Sequence, residues 1–546
     1  MDAFIEAEPL PSSRTRKRVR SILPWLAVSM SALLAAVAQW PGVMWPLVLV
    51  AAAPVASVLL GSRGALGWRL AMGMGLAYAA AVALLALAFP DSWPVATSFS
   101  SSWLAAIPFV VAFPLLARLS RLGAGVGVMG GAAIWTVAGR IGDALAGTRV
   151  DDAAALALQR ADVVLSGLRA QTPVANLLAL GGPSLLTFTA CCLGMALGLA
   201  WAERRHAVRR GRAVTAGAVV FGALLALADF AVALAPSRVS ARAAAAPREP
   251  LRIALVQPGA AAASASPEKR FEGLVELTRT VDVGGAQLLL WPAPAKTQIK
   301  QPDGELGDST EKSRVDVLRA LARERGVALL VAGEHLGAMG ATGVSHGASL
   351  VPATPVSSSR STAFLFPSDG ATAVQLEQDV ALRTSPSDET AEPRRVFSMK
   401  GWNIGPLLGD QTTRWAQVSA RVEAGAELLV DLTAQRTPVN LEQTELSLGS
   451  LSLVAAAARR PVVRVTEAGV TALVLENGLL SWRFPLGSPA AALLDVIAPT
   501  RDALGQRGGQ RGFDLMLGVL ALAAALLPVL LRPTSSRTKS QEINDG

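Results

Sequence analysis

Long apolar runs recur through the first 234 residues of this chain, and one more lies near its end. They are Ile22–Ala38, Val43–Leu60, Leu66–Phe89, Trp103–Ala117, Leu122–Val137, Val174–Trp201, Val214–Leu234 and Phe513–Leu531. A helix needs about 20 apolar residues to cross a hydrocarbon layer of about 30 Å. Each run approaches or exceeds that length, the fourth and fifth being the shortest. The pattern predicts a polytopic α-helical membrane protein of about eight spans. Charged residues make up 17% of the chain, below the roughly 25% of ordinary soluble proteins.

The basic residues set an orientation. Arg14, Arg16, Lys17, Arg18 and Arg20 precede the first run. Arg63 follows the second, Arg118 and Arg121 the fourth, and Arg204, Arg205, Arg209, Arg210 and Arg212 the sixth. Arg532, Arg537 and Lys539 follow the last, while the links after the first and third carry neither Lys nor Arg. Lys and Arg concentrate in cytoplasmic segments. Both termini are therefore expected in the cytoplasm. The first run ends in Ala36-Val37-Ala38, a cleavage-like triplet, but the next run follows almost at once, and an uncleaved anchor is the expected reading. The link Gly139 to Pro173 contains Asp151–Arg169 with helical apolar spacing. It is read either as a helix lying on the membrane surface or as one packed on a soluble domain.

A net charge of +9 invites a nucleic-acid reading. The arginines cluster at span ends rather than on one soluble patch, and no nucleic-acid motif accompanies them, so nucleic acid is not an expected partner. The two cysteines, Cys191 and Cys192, are adjacent inside an apolar run. Neighbouring helical residues point in different directions, which keeps these thiols from pairing with each other. They read as small apolar side chains. No metal site and no cofactor is implied.

Between the last two runs lie about 250 residues of different character. Residues 1–20 read as a basic cytoplasmic tail and 21–234 as a seven-span region. Residues 235–250, rich in Ala, Arg and Pro, read as a linker and 251–500 as an extracytoplasmic domain. Residues 513–531 form the last span and 532–546 a cytoplasmic tail. Within the domain, strands are predicted at Leu251–Gln257, Gln287–Trp291, Val327–Gly333, Thr362–Phe366, Asn403–Leu408, Leu428–Leu432, Val462–Val465 and Thr471–Leu475. Helices are predicted at Pro267–Val281, Ser313–Arg325, Arg414–Ala424 and Glu445–Ala458. Strands separated by helices predict a layered α/β domain. Arg383–Arg395, rich in Ser, Pro, Asp and Glu, predicts an exposed loop.

Three blocks carry a resemblance. The first is Arg252-Ile253-Ala254-Leu255-Val256-Gln257-Pro258. The second is Gly284-Gly285-Ala286-Gln287-Leu288-Leu289-Leu290-Trp291-Pro292. The third is Arg460-Pro461-Val462-Val463-Arg464-Val465-Thr466-Glu467-Ala468-Gly469-Val470-Thr471. With the span layout, and with Pro173–Leu199 as a sixth span, they resemble the apolipoprotein N-acyltransferases, a membrane branch of the carbon–nitrogen hydrolase (nitrilase) superfamily. The resemblance implies an αββα sandwich inserted between spans seven and eight. It also implies a Glu–Lys–Cys triad, in which a cysteine takes an acyl chain from a phospholipid and passes it to a lipoprotein amine. In such a triad the carboxylate accepts a proton, the lysine stabilises the oxyanion and the sulfur is the covalent relay.

The triad positions fall on residues unable to play those parts. After Trp291-Pro292 comes Ala293, where the resemblance places Glu. No lysine occurs between Lys312 and Lys400, and Glu377 lies nearest the expected Lys. Gly409-Asp410-Gln411 stands where Cys-Tyr-Glu is expected, and the domain contains no cysteine. Thr433-Ala434-Gln435-Arg436-Thr437-Pro438 replaces a supporting loop, and Ala457 replaces a helical glutamate.

Other residues stand near the lost roles. Asp410 is the one carboxylate at the former nucleophile position, but it lacks a base and reads as a solvated loop carboxylate. Lys296 reads as a surface lysine. Glu334-His335 with His346 is too sparse for zinc, and Asp410 with Thr412 or Thr413 lacks the histidine of a hydrolase triad.

The expected function is an N-acyltransferase-like membrane protein without catalysis. It would bind lipid or lipoprotein, or modulate an active acyltransferase, with Pro292–Ile299 as an apolar loop able to touch acyl chains. One alternative is an acyltransferase working through displaced residues. A second is a polytopic envelope sensor or transporter, for which Asp229 is the main charge within a span.

Overall fold

The computed structural model describes residues 13–37, 50–60, 68–88, 99–119, 124–147, 175–204, 249–292, 309–336, 359–371, 374–377, 396–408, 415–433, 441–499 and 509–530. The seventh predicted span, Asp151–Arg169, Asp229, Arg383–Arg395 and most of Pro292–Ile299 lie outside them. Contacts divide the chain into two compact units. One comprises Met1–Val164, Ser184–Leu225 and Arg511–Gly546, and the other Leu165–Pro183 and Ala226–Gln510.

The first unit is helical. Its described helices are α1 (Ser13–Val37), α2 (Ala53–Leu59), α3 (Trp68–Ala88), α4 (Phe99–Leu119), α5 (Ala124–Gly147), most of α6 (Ala175–Arg204) and α12 (Gly509–Leu530). Among the described residues, Ala124–Gly142 is long and apolar enough to cross a bilayer. Shorter apolar stretches lie at Ile22–Leu34, Ile107–Leu119, Thr187–Ala202 and Gly512–Leu527. Helices α4 and α5 extend beyond the apolar runs that predict them, because Ser-rich and Arg-containing ends continue the helix without adding hydrophobicity.

Packing in this unit relies on small residues and one aromatic cluster. Tyr78, Phe109, Phe113 and Trp135 are buried, with ring centroids 5.0 Å apart for Phe109–Trp135 and 5.3 Å for Tyr78–Phe109. Beside that cluster α3 crosses α4 at Gly75, where a methyl group would lie 2.7 Å from the Phe109 carbonyl oxygen. The crossing of α6 on α2 is tighter still, since a Cβ on Gly198 would overlap the Ala53 carbonyl oxygen. Between α1 and α2, the Val55 N–H donates to Ser31 Oγ at 3.2 Å. This satisfies a helix-start donor that has no partner inside its own helix.

The outward faces of these helices are apolar. Leu26 is 61% exposed and Val519 61%, and Leu76, Leu84, Val111, Leu515 and Leu522 are exposed with them. Hydrophobic side chains thus occupy both the inside and the outside of the bundle.

The second unit is a sandwich of two six-stranded sheets. The first holds β1 (Leu251–Gln257), β2 (Leu288–Leu290), β3 (Ala328–Leu336), β4 (Ser359–Phe366), β5 (Val374–Glu377) and β12 (Ala490–Val496), in the order β12-β1-β2-β3-β4-β5. The second holds β6 (Phe397–Met399), β7 (Trp402–Leu408), β8 (Leu428–Thr433), β9 (Val462–Thr466), β10 (Ala472–Val474) and β11 (Leu480–Arg483), in the order β11-β10-β9-β8-β7-β6. Parallel pairing joins β1 to β2 to β3, and β7 to β8 to β9. Such strands are buried on both faces, hence their nearly continuous apolar runs.

Alternate residues of the two sheets meet in one core. Ile253, Leu255 and Leu290 face Ile404, Val430 and Val463 within it. The opposite side chains of the first sheet, among them Val256, Leu289, Val331 and Phe364, pack on α8 (Pro267–Thr280) and α9 (Ser309–Arg325) through Leu274, Leu318 and Leu321. Helices α10 (Trp415–Glu423) and α11 (Leu441–Ala458) lie against strands of the second sheet, and a single turn, α7 (Ala260–Ala263), follows β1. The layering is α-β-β-α, as predicted.

Every predicted strand and helix of this unit is present, with ends shifted by a few residues. Helix α8 starts where its sequence signals place it. Ser266 accepts from the Lys269 N–H at 3.4 Å, Pro267 opens the first turn and Arg279 sits in the last, each in its favoured place. Four strands, β5, β6, β11 and β12, are additional. In β12 the run Ala-Ala-Ala-Leu-Leu reads locally as helix. Register pairing along the whole of β1, from Leu251↔Val496 to Gln257↔Ala490, makes it a strand.

Candidate functional site

Ligands of layered α/β domains bind beyond the carboxyl ends of parallel strands. Here the corresponding ends are Gln257, Leu290 and Leu336 in one sheet and Leu408, Thr433 and Thr466 in the other. The Gly259 N–H donates to the Glu467 carbonyl at 2.9 Å. That bond ties the end of β1 to the end of β9, so both sheets open onto a common rim at this corner.

Strand β2 delivers the chain to the rim through Trp291 and Pro292, both buried. The Trp291 indole N–H donates to Thr278 Oγ1 at 2.9 Å, and its ring meets Phe271 edge-on at 6.0 Å. Thr278 in turn donates to the Leu274 carbonyl at 2.7 Å. Trp291, two residues before the expected carboxylate position, is therefore held by packing and by a short hydrogen-bonded relay. Ala293 itself lies outside the described residues, as do Lys296, His346, Gly409, Asp410, Thr412 and Thr413. Glu377 ends β5 and pairs with Thr362 of β4, at the outer edge of its sheet. Glu334 and His335 lie in β3 opposite Ser361 and Arg360. Among the described residues, no cluster of three His, Cys, Asp or Glu side chains has metal-binding geometry. Ala457 is fully buried in α11. A glutamate there would need a buried partner of its own.

Two buried ion pairs near the rim join residues for which the sequence suggested no functional role. Asp431 of β8 and Arg464 of β9 are register partners across the parallel ladder, with Nε 2.5 Å from Oδ2. They sit on the helix-facing side of the second sheet, since their neighbours Val430 and Val463 face the other sheet. Thr433 Oγ1 adds a bond to Asp431 Oδ1 at 2.7 Å. The second pair joins Arg270 of α8 to Glu467, just past β9, at 3.7 Å. Arg270 also donates to the Ala263 carbonyl at 3.3 Å. Beside it, Gln257 Nε2 donates to the carbonyls of Ser488 at 2.8 Å and Pro485 at 3.2 Å. Gly259 closes this corner with φ of +86°, and a Cβ there would meet the Pro489 nitrogen at 2.7 Å.

The sequence signal for the first pair was present: a charge in each of two apolar strands, Leu-Leu-Val-Asp-Leu and Val-Val-Arg-Val. Only their adjacency in the ladder turns the two charges into a pair. These groups brace the rim. Gln257 and Arg270 are buried and donate to backbone carbonyls, and Arg270 pairs with the buried Glu467, an arrangement that fixes strand ends.

No protein-family model matches the chain, and no curated protein matches it in sequence. Solved structures do. A double mutant of the amidase from Nesterenkonia sp. AN1, in complex with acrylamide, is 19% identical with a TM-score of 0.34, over 48% of this chain and 95% of that one. A single mutant, of the Nesterenkonia AN1 amidase from the nitrilase superfamily, is 20% identical with a TM-score of 0.35, over 50% and 99%. An amidase from Nesterenkonia sp. gives 20%, 0.35, 48% and 96%. These neighbours have the carbon–nitrogen hydrolase fold, and the likeness spans about half of this chain.

Proposed function

We propose that this chain is a polytopic inner-membrane protein of the apolipoprotein N-acyltransferase type whose nitrilase-like sandwich has lost its catalysis. In this reading it engages lipid or lipoprotein, or modulates an active acyltransferase, without transferring acyl groups itself. The observation that carries the reading is the place of the thiols. The only cysteines of the chain, Cys191 and Cys192, are buried in α6 of the helical unit, and the sandwich contains none. A thioester relay through the sandwich needs a nucleophilic sulfur that its sequence does not supply.

Supporting the family reading are the three sequence blocks, which form β1, β2 and the β9–β10 pair, and the αββα layering that the resemblance implies. Supporting the membrane reading are the apolar outward faces of the helices, the close crossings at Gly75 and Gly198 of a kind favoured in lipid, and the clustering of Arg at span ends.

The test is expression of this chain as the sole candidate acyltransferase in cells depleted of their own, at a verified membrane level. The N-terminal lipid mass of one lipoprotein is then measured. A terminus left diacylated supports the reading. A triacylated terminus overturns the loss of catalysis and turns attention to Asp410.

A further inference from the structure

Among the described residues of the sandwich, the large hydrophobic side chains left exposed are Leu479, Leu480, Leu493 and Ile497. Ile497 is 73% exposed, Leu479 47% and Leu480 40%. Single apolar residues scattered over a surface are ordinary, whereas a gathering of them marks a contact. Strand topology gathers three of these four. The β10–β11 hairpin turns at Glu476-Asn477-Gly478, where the Leu479 N–H donates to Asn477 Oδ1 at 3.0 Å. Val474, the last residue of β10, pairs with Val462 at the start of β9. Val496, the last residue of β12, pairs with Leu251 at the start of β1. Strands β1 and β9 end at one rim, tied by the bond from Gly259 to Glu467. Their starts therefore share the opposite end of the sandwich, and Leu479, Leu480 and Ile497 stand there. Leu493 lies further along β12, opposite Ala254.

Both connections of the sandwich leave from that same end. The chain enters at Leu251, after the linker from the seventh predicted span, and leaves after Val496. Nine residues, 500–508, separate the last described residue of the sandwich from Gly509, the first of α12. Fully extended they reach about 30 Å. Under the membrane reading, two tethers on one end and none on the rim hold these three apolar residues nearest the bilayer. The neighbouring charges select no headgroup. Arg252 and Asp495 neutralise one another at 2.8 Å, and the hairpin carries Glu476 without Lys or Arg. An apolar contact without net positive charge suits the boundary between headgroups and acyl chains, with no call for acidic lipid.

We infer that Leu479, Leu480 and Ile497 seat this end of the sandwich in the outer interfacial layer of the bilayer by apolar insertion. The inference rests on the membrane reading proposed above. It adds to that reading a lipid contact separate from the rim, made without reaction.

The test uses the full chain with Cys191→Ala and Cys192→Ala, so that one introduced cysteine carries an environment-sensitive fluorophore. The labelled positions are Leu480→Cys, Ile497→Cys and, near the rim, Ser264→Cys at an exposed residue. Each protein is reconstituted in phosphatidylcholine vesicles with and without a nitroxide on the lipid headgroup. Labels at 480 and 497 should lose most of their emission to the nitroxide, and the label at 264 little. Adding phosphatidylglycerol should leave those losses unchanged. Replacing Leu479 and Leu480 together by Gln should sharply reduce the loss at 497 at unchanged thermal stability, since both side chains are exposed.

A loss that survives this replacement leaves the tethers alone to hold the end near lipid and overturns the inference. So does a loss that requires phosphatidylglycerol, or a label at 497 quenched by aqueous iodide and not by the nitroxide. A label at 497 shielded from both shows a second copy covering the residues, which overturns it too. A parallel alkaline carbonate wash of membranes separates the two readings. Release of the chain would remove the membrane reading and this inference with it. A chain that stays in the membrane with its labels at 480 and 497 beyond reach of the nitroxide removes the inference alone.

Discussion

The helical unit and the sandwich are both rich in apolar residues, yet they distribute them in opposite ways. In the sandwich, Ile253, Leu255, Val430 and Val463 fill the space between sheets, and the exposed side of β12 alternates with it as a solvated edge does. In the helical unit, residues as large as Leu515 and Leu522 point outward from helices whose other faces are equally apolar. Burial therefore follows different rules in the two parts. One part separates apolar from polar by strand periodicity. The other buries small residues at helix crossings, such as Gly75 and Gly198, together with one aromatic cluster, and leaves further large apolar side chains exposed. The contrast is the one expected if, as proposed above, water surrounds the sandwich and hydrocarbon the helices.

The largest predicted effect tests what ties neighbouring strands of the second sheet. Asp431→Ala leaves Arg464 buried without its register partner, and loss of about 3–5 kcal/mol is expected. Thermal unfolding of the full chain in detergent reads it. Replacing both residues by apolar ones of similar volume should recover much of that loss, and failure to do so would give the pair a role beyond mutual neutralisation.

Next comes a matched pair that can break the two-solvent comparison. Val519→Lys places a charge on the outer face of α12, at a cost of about 2.5–3.5 kcal/mol in insertion of that helix if it faces lipid. Ile497→Lys, at a residue 73% exposed in the sandwich, should change stability by less than about 0.5 kcal/mol. Glycosylation-tag mapping of insertion and unfolding of the purified chain measure the two. Equal, small effects would show that α12 lies outside hydrocarbon as Ile497 does.

Smaller again is Gly198→Ala. Its added methyl group presses on the Ala53 carbonyl, and overpacking of about 1–3 kcal/mol is expected, seen as a lowered Tm in detergent. The smallest effect concerns the surface pair Arg252–Asp495, whose Nε and Oδ1 are 2.8 Å apart. The Arg252 hydrogen bond holds the Asp495 carboxyl below its ordinary range. A lowered pKa in the folded state adds stability above the unfolded-state value and loses it as pH falls through the folded one. Arg252→Gln should thus lower stability slightly at neutral pH. That difference should vanish on acidification, when Asp495 is protonated in both proteins.

Much of this fold was legible in the sequence because its strands and helices carry strong local signals. Leu251–Gln257 is predicted to the residue, and Ser266-Pro267-Glu268 announces the start of α8. The strands that escaped notice lack such signals. β11 is polar and exposed, β12 is alanine-rich, and β6 is three residues long and follows from its hairpin with β7, whose turn residues Lys400 and Gly401 both have positive φ. The site was legible only as the positions the resemblance implies, Ala293, Gly409 and near Glu377, the first two of which lie outside the described residues. The braces around it were not, because Arg270 and Glu467 lie far apart in sequence and meet only when α8 packs beside the end of β9.

The amino-acid sequence by itself determined the apolar runs and their basic flanks, the alternation of strands and helices in the sandwich, and the lack of a thiol there. These are properties of short windows and of composition, for which periodicity and residue chemistry suffice. Tertiary structure alone decided which strands stand at sheet edges, that Asp431 and Arg464 are ladder partners, and that α1, α2 and α6 leave an apolar groove among them. Each of those depends on contacts between distant segments, and the free energy that selects them comes from burying surfaces that no single segment can cover.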